Sequence, residues 1–539
     1  MTTLLDTRRP RLMLVLLCLL LWAPGFFTLP PGDRDESRFV QASKQMIETN
    51  DFVRIMNGDE ARNRKPIGIH WLQVPFAMAA EALGIDHANP VWPYRVPSLL
   101  GGIVAVLACF AAGERLLGPR AALLGAGMLA ASVVLVAETH IAKTDAALLG
   151  ATSVAMAVLV RAWSDGIGRR EAAAFWLAMG LGVLLKGPLT PMVVGLTVVT
   201  LLVVERRGAW LRGLRWQWGL PLMLAVVLPW FVAIGMATGG RFFADAVGGD
   251  LGRKLTSGDE SHWGPPGMHL LLTPLLLFPA TAAIPAGAVA AWRGRRTPEI
   301  RFLLAWLIPA WLVFEAAPTK LPHYTMPLYP ALCLLLAHGV LAGVRQVGVR
   351  QAGARQVGGW RQSGPWLAAF IACALAAAAF AAPVFLHLPV WLGVPPLLGA
   401  AVAGWFAIRA VDAASAARAS LAAVLLYAGV LGWELPRLTP LWIAPRIVAA
   451  LPNGRLGAVG YAEPSLMFLA GTATVWLRPG DALHELLAGA IDTLLVGDRD
   501  LPAIMAQAAS RNVPLNQRAQ IAGFNYSRGR WVTLTLLTR

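Results

Sequence analysis

Long apolar stretches alternate with short polar connections along most of this chain. Apolar runs fall at about 12–29, 96–113, 121–138, 146–163, 172–186, 189–204, 219–238, 268–291, 302–317, 324–344, 365–385, 388–408 and 419–434. A helix needs about 20 apolar residues to cross a hydrocarbon core, so the pattern predicts about thirteen membrane helices. Backbone groups in lipid must be paired within their own segment, which makes the helix the expected spanning element. From about residue 440 the pattern changes. LGAVGY, TATVWL, DTLLVGD and WVTLTLL read as strands, and PSLMFLA, ALHELLAG and AIMAQAASR as helices between them. The expected fold class is an all-α polytopic membrane protein over 1–438, followed by a small α/β domain over 439–539.

The connections orient the spans. Arginines gather before the first run (Arg8, Arg9, Arg11) and then in every second connection, as at Arg115 and Arg120, Arg206 and Arg207, and Arg293 to Arg296. Basic connections face the cytoplasm, so the N-terminus is expected there and the C-terminal domain on the outer face. Two outer connections are long, 30–95 and 239–267. Within the first, Phe39, Val40, Ser43, Met46 and Ile47 recur at helical spacing, predicting an amphipathic helix on the membrane surface. Trp71, Phe76, Trp92 and Tyr94 suit interfacial anchoring. A basic near-repeat, VRQVG-VRQAG-ARQVG, marks the inner connection 343–363 as a linker without chemistry.

Composition agrees with this reading. Hydrophobic residues make up 57% and charged residues 14% of the 539 positions, too apolar for a soluble globular chain. The net charge of +16 follows from the inner arginines, so no nucleic-acid partner is expected. Cys18, Cys109, Cys333 and Cys373 lie inside apolar runs, without metal-ligand spacing. The first run is long and an acidic cluster follows it directly, so it reads as an uncleaved span rather than a signal peptide.

That acidic cluster is Asp33-Arg34-Asp35-Glu36-Ser37-Arg38. Other ionisable groups join it on the outer side: Lys65, Lys143 and Asp145, Lys186, Asp250, Arg253 and Lys254, and Lys320, His323 and Tyr324. Charges at a membrane boundary are costly and mark function. Lysines and arginines suit a lipid phosphate, and a carboxylate suits the orientation or deprotonation of an attacking acceptor. A transporter would hold such groups near the midplane within pseudo-symmetric repeats, and no such repeat is visible. A scaffold would give the dense carboxylates no purpose.

In order along 12–340, these segments resemble the integral-membrane GT-C glycosyltransferases. They are most similar to the bacterial lipid A aminoarabinose transferases. The matching segments are Arg34-Asp35-Glu36-Ser37-Arg38-Phe39, Asn50-Asp51-Phe52, Arg64-Lys65-Pro66 with His70-Trp71, Thr144-Asp145-Ala146, Leu185-Lys186-Gly187 and Lys320-Leu321-Pro322-His323-Tyr324.

The resemblance implies inverting transfer of a sugar, aminoarabinose, from undecaprenyl phosphate to a lipid A phosphate. The reaction would run at the periplasmic face of the bacterial inner membrane, among membrane lipids. The alternative is a related enzyme that modifies a protein, a hopanoid or another glycan. Asp35 is the implied catalytic carboxylate, and Asp145 a second carboxylate in the same cavity. Lys65 and Arg253 would hold the donor phosphate, with Lys186, Lys320 and Tyr324 completing the substrate-binding set. Glu36 and Arg38 are also counted as substrate-binding and would orient the loop, and Asp33 would be a solvated charge. Relatives carry a Glu and a His, plausible ligands of a divalent ion, where this chain has Arg64 and Asp250. An Arg64–Asp250 ion pair is therefore expected in place of a metal, and no cofactor is assigned.

Overall fold

The computed structural model describes residues 5–85, 90–251, 263–350, 360–410 and 412–539. Every apolar run contains helix, although the first is helical only to Trp22 and the 268–291 run is interrupted. Among the described residues, seven helices are each long and apolar enough to cross a membrane. An eighth span results if Pro119–Ala131 and Val133–Thr139, bent by 59°, count together. Of the remaining runs, some form shorter helices, such as Pro10–Trp22 and Leu189–Glu205, one is broken, and Arg169–Lys186 and Pro298–Ala316 are continuous helices of 18 and 19 residues. The 268–291 run divides into Met268–Leu276, Ala280–Ala283 and Ile284–Gly294, where Pro279 and Pro285 interrupt the backbone ladder. Leu228, Phe370 and Trp405 are exposed on spanning helices, an apolar surface suited to lipid. The chain is a multi-pass membrane protein.

Small residues set a close helix contact. Trp92–Leu117 packs on Thr144–Ser164 through Gly101 and Gly150. A Cβ on Gly101 would lie 2.5 Å from the Ala147 Cα. This packing carries Arg95 and Asp145 on adjoining helices. Gly101→Val is expected to cost about 1–3 kcal/mol, because neither backbone can withdraw freely. An unfolding curve in detergent checks this, and an unchanged midpoint would contradict it.

Beyond the spans, β1 (Met56–Asn57) and β2 (Glu60–Ala61) form a small antiparallel hairpin in the long connection 30–95. The C-terminal segment builds a five-stranded sheet from β3 (Leu456–Val459), β4 (Val475–Trp476), β5 (Thr493–Gly497), β6 (Asn516–Asn525) and β7 (Arg530–Thr538). The strand order is β4-β3-β5-β7-β6. β3 runs parallel to β4 and β5, while β7 runs antiparallel to β5 and β6. The predicted strands and the helices between them are present, and β6 is an addition.

Three expectations need correction. The Asp35–Thr49 helix forms as the spacing predicts, but it does not lie open on a membrane surface. Phe39, Val40, Ala42, Ser43, Lys44 and Met46 are all buried, because Gly68–Ala82 and Pro464–Ala470 pack against it. Tyr94 is buried edge-on against Phe468, 5.8 Å between rings, rather than anchored at an interface. Asp33 is half-buried under the C-terminal segment rather than solvated. Most of the 343–363 near-repeat lies outside the described residues.

Candidate active site

Four separate stretches bring charge to one place. Asp35 opens its helix directly after Arg34, a non-glycine residue at φ 62°. Glu138, near the end of Val133–Thr139, and Lys143 flank the turn into the Thr144–Ser164 helix. Asp145 sits in the first turn of that helix, where the amide dipoles favour a carboxylate. Lys186 ends the Arg169–Lys186 helix, where they favour a cation. Arg62 and Lys65 precede Gly68, where an added Cβ would meet the Leu184 carbonyl oxygen at 2.6 Å. That close approach seats the Lys65 turn beside the end of the Lys186 helix.

The ion pairs interlock. Lys186 Nζ donates to Asp145 Oδ1 at 2.5 Å, and Lys143 Nζ lies 3.7 Å from Asp145 Oδ2. Lys143 also pairs with Glu138 Oε1 at 2.9 Å. His323 bridges both acids, with Nδ1 3.4 Å from Glu138 Oε1 and Nε2 3.6 Å from Asp145 Oδ1. Lys186 lies over the Tyr324 ring at 4.8 Å. Arg62 and Lys65 lie over the Phe39 ring at 4.3 and 4.9 Å.

Asp35 faces this cluster. Burial alone would raise its carboxyl, but Lys65, Lys143 and Arg62 hold it below the usual carboxylate range. Burial, and then the Lys186 ammonium, bring Lys65 down to about 8, against the pull of Asp35 and Asp145. Burial also opposes the charge on Lys143, yet Glu138 and Asp145 raise it above the ordinary lysine value. Four cations thus surround three carboxyl groups, and an added anion would be welcome.

Buried partners hold the frame. Glu36 forms a two-pronged ion pair with Arg95, at 2.8 and 2.9 Å. Its oxygens also accept from the amides of Gly32 at 2.7 Å and Ala142 at 2.8 Å. Arg95 in turn donates to the carbonyls of Leu29 and Pro30. Glu36 therefore ties the loop to two other segments and is not available to a ligand, a correction to its substrate-binding assignment. Ser43 links the rings and amides of His70 (2.8 Å) and Gln73 (2.6 Å), and Gln73 reaches the Ala142 carbonyl. Burial, with Arg62 and Lys65 nearby, takes His70 down to about 3, so it stays neutral.

Lys320 is also placed elsewhere. Its ammonium donates to the carbonyls of Gly264 (2.9 Å) and Ala317 (2.7 Å), fastening the end of the 239–267 connection to the 317–321 turn. Arg38 is half-buried and joins none of the cluster's ion pairs among the described residues. Arg253 and the Asp250 side chain lie outside the described residues, and with them the Arg64–Asp250 pair. Arg64 offers no metal-donor atom, and no step below uses a metal. Glu138 and Arg62 were not singled out by the sequence reading. Glu138 sits seven residues before Asp145, a spacing that the bend at 139–143 converts into proximity.

The family described as dolichyl-phosphate-mannose-protein mannosyltransferase matches residues 65–232. The undecaprenyl phosphate-α-4-amino-4-deoxy-L-arabinose arabinosyl transferase of Pseudomonas paraeruginosa is 27% identical over 341 residues, covering 61% of this chain and 60% of that protein. The enzyme of that name from Pectobacterium atrosepticum is 26% identical over 332 residues, covering 59% of this chain and 54% of the relative. The match spans about 60% or less of these relatives' length. The crystal structure of ArnT from Cupriavidus metallidurans bound to undecaprenyl phosphate superposes with a TM-score of 0.75, at 21% identity and 97% coverage of both chains. This chain has the GT-C fold of ArnT. The GT-C superposition extends through the C-terminal sheet, well beyond the stretch where sequence alone aligns. Residues 65–232 of the GT-C core contain Lys65, Glu138, Lys143, Asp145 and Lys186.

Proposed function

We propose that this protein is an inverting glycosyltransferase that moves aminoarabinose from undecaprenyl phosphate to a lipid A phosphate. The reaction runs at the periplasmic face of the bacterial inner membrane, with the N-terminus cytoplasmic. The catalytic unit is residues 1–438, and 439–539 form an outer domain. The observation that carries the reading is the surplus of cations beside Asp35, at the outer ends of several spans. The curated relatives named for this donor supply the sugar and the carrier.

The residues divide the work. Lys65 and Arg62 receive the donor phosphate, with Lys186 behind them, and stabilise its charge as the sugar leaves. Asp145 holds Lys186 and Lys143 in place. The acceptor phosphate oxygen attacks the anomeric carbon as the bond to the carrier phosphate breaks, and undecaprenyl phosphate departs with that electron pair. Asp35 orients the attacking group opposite the leaving phosphate. An anionic acceptor needs no proton removed, whereas a hydroxyl acceptor would give its proton to Asp35. The mannosyltransferase family match favours a second reading, the same chemistry on a protein hydroxyl. Purified enzyme with labelled donor and a panel of lipid A, protein and hopanoid acceptors separates the two. Labelling of none of them would reject both.

Lys65 also fixes a pH dependence. Its pKa lies near 8, well below an ordinary lysine, so its ammonium is lost as pH rises through 8. Donor capture, read as kcat/KM, is expected to be full below pH 7 and to decline above pH 8. Lys65→Arg keeps its charge to higher pH and should move the decline upward. A decline that stays in place would show that another group titrates.

A further inference from the structure

Asp35 sits at the start of a loop-borne helix, yet its chemistry needs sub-ångström placement. Loops are intrinsically mobile, so something must hold this one. The C-terminal segment reaches it at the two residues immediately before Asp35. The Asp33 amide donates to the Tyr526 hydroxyl at 2.5 Å. The Ser465 hydroxyl donates to the Asp33 carboxylate, and the Arg34 guanidinium to the Ser527 carbonyl. Between these contacts Arg34 is held at a positive φ of 62°, which L side chains rarely adopt. That turn aims the chain so that Asp35 begins the helix facing Lys65 and Lys143.

The grip continues along the helix. Lys44 is almost fully buried and donates to the Phe468 carbonyl at 2.9 Å. Gln41 donates to the Thr472 hydroxyl at 2.8 Å. Burial under these contacts pushes the Asp33 carboxyl up to about 7. A domain held only by its tether would need no buried lysine on this helix donating to its backbone.

We propose that the C-terminal domain is a clasp whose Ser465 and Tyr526 are positioning residues for Asp35. The proposal rests on the reading of Asp35 as the reacting carboxylate. It assigns the sheet domain a part in the rate of transfer. Misplacement by about 1 Å costs about a hundredfold in rate, so a clasp that slackens should lower kcat while leaving donor capture intact.

The test uses the full chain in lipid nanodiscs. Wild type, Ser465→Ala with Tyr526→Phe, and Ser465→Thr are compared by hydrogen exchange over residues 31–45 and by transfer of labelled donor sugar. Loss of the two hydroxyls is expected to speed exchange in this segment about tenfold. It should lower kcat about tenfold or more with donor KM held within about twofold. Exchange in the spanning helices should not change. Ser465→Thr keeps the hydroxyl and should behave as wild type. Should the double variant lose protection throughout, Tyr526→Phe alone decides by the same two readings. Unchanged exchange over 31–45, or faster exchange with unchanged kcat, overturns the clasp. A wrong choice of reacting carboxylate shows itself differently: Asp35→Asn would then transfer sugar normally, whatever the exchange experiment reports.

Discussion

Asp35→Asn is expected to lose sugar transfer by a factor of about 10²–10⁴, the usual worth of a positioned acid or base. The change is close to isosteric, and Asp35 lies outside the membrane spans at the first residue of its helix. Insertion and folding should therefore survive it. Donor capture should survive in neutral to mildly acidic buffer, because Lys65, Arg62 and Lys186 remain, but without Asp35 the Lys65 ammonium is lost more easily and the decline in capture should move to lower pH. The expected signature is a collapse of kcat with KM unchanged or lower. The pH profile gives a second check. The cations beside Asp35 keep its pKa below the usual carboxylate value, so it stays ionised above that value and is neutralised only in stronger acid. Wild-type activity should then show no acid limb due to Asp35 between pH 5 and 7. A variant that keeps more than about a tenth of the wild-type rate would remove Asp35 from the reaction.

Much of this architecture is legible in the amino-acid pattern, for reasons that are physical. A span must be apolar for its whole length, so the runs from 96–113 to 419–434 announce themselves and all prove helical. In the C-terminal sheet, β3, β5 and β7 are buried and read as apolar runs. β6, with the sequence NQRAQIAGFN, lies at the sheet edge and is largely exposed, so it carries no apolar signal. The site was legible only in part. Asp35, Lys65, Asp145 and Lys186 converge because the ends of separate helices meet, and each sits in a recognisable local segment. Glu36 looked like one more outer carboxylate, because its partner Arg95 is 59 positions away and no local spacing connects them. Lys320 resembled a phosphate ligand, but backbone carbonyls with no signature in the sequence occupy it. Asp33 looked solvated because its cover comes from residues 465 and 526.

The second large effect is structural and falls on Asp145. Its carboxylate is buried and anchors Lys186 at 2.5 Å, with Lys143 at 3.7 Å and His323 at 3.6 Å. Asp145→Asn keeps the shape and removes the charge. Lys143 retains Glu138, but Lys186 loses the carboxylate it donates to and is left beside Lys65 and over the Tyr324 ring. Removing one partner of a buried pair costs about 3–5 kcal/mol, because the other charge stays desolvated and uncompensated. The protein should therefore unfold at lower denaturant in detergent and lose transfer. Lys186→Met added to Asp145→Asn removes the stranded charge and should restore much of the stability. Transfer should stay low, since a cation behind the donor phosphate is also gone. That divergence separates the two roles of the pair, holding the frame and meeting the substrate. If the single variant is as stable as wild type, Asp145 does not hold the cluster together. If the double variant transfers sugar normally, Lys186 has no part in donor binding.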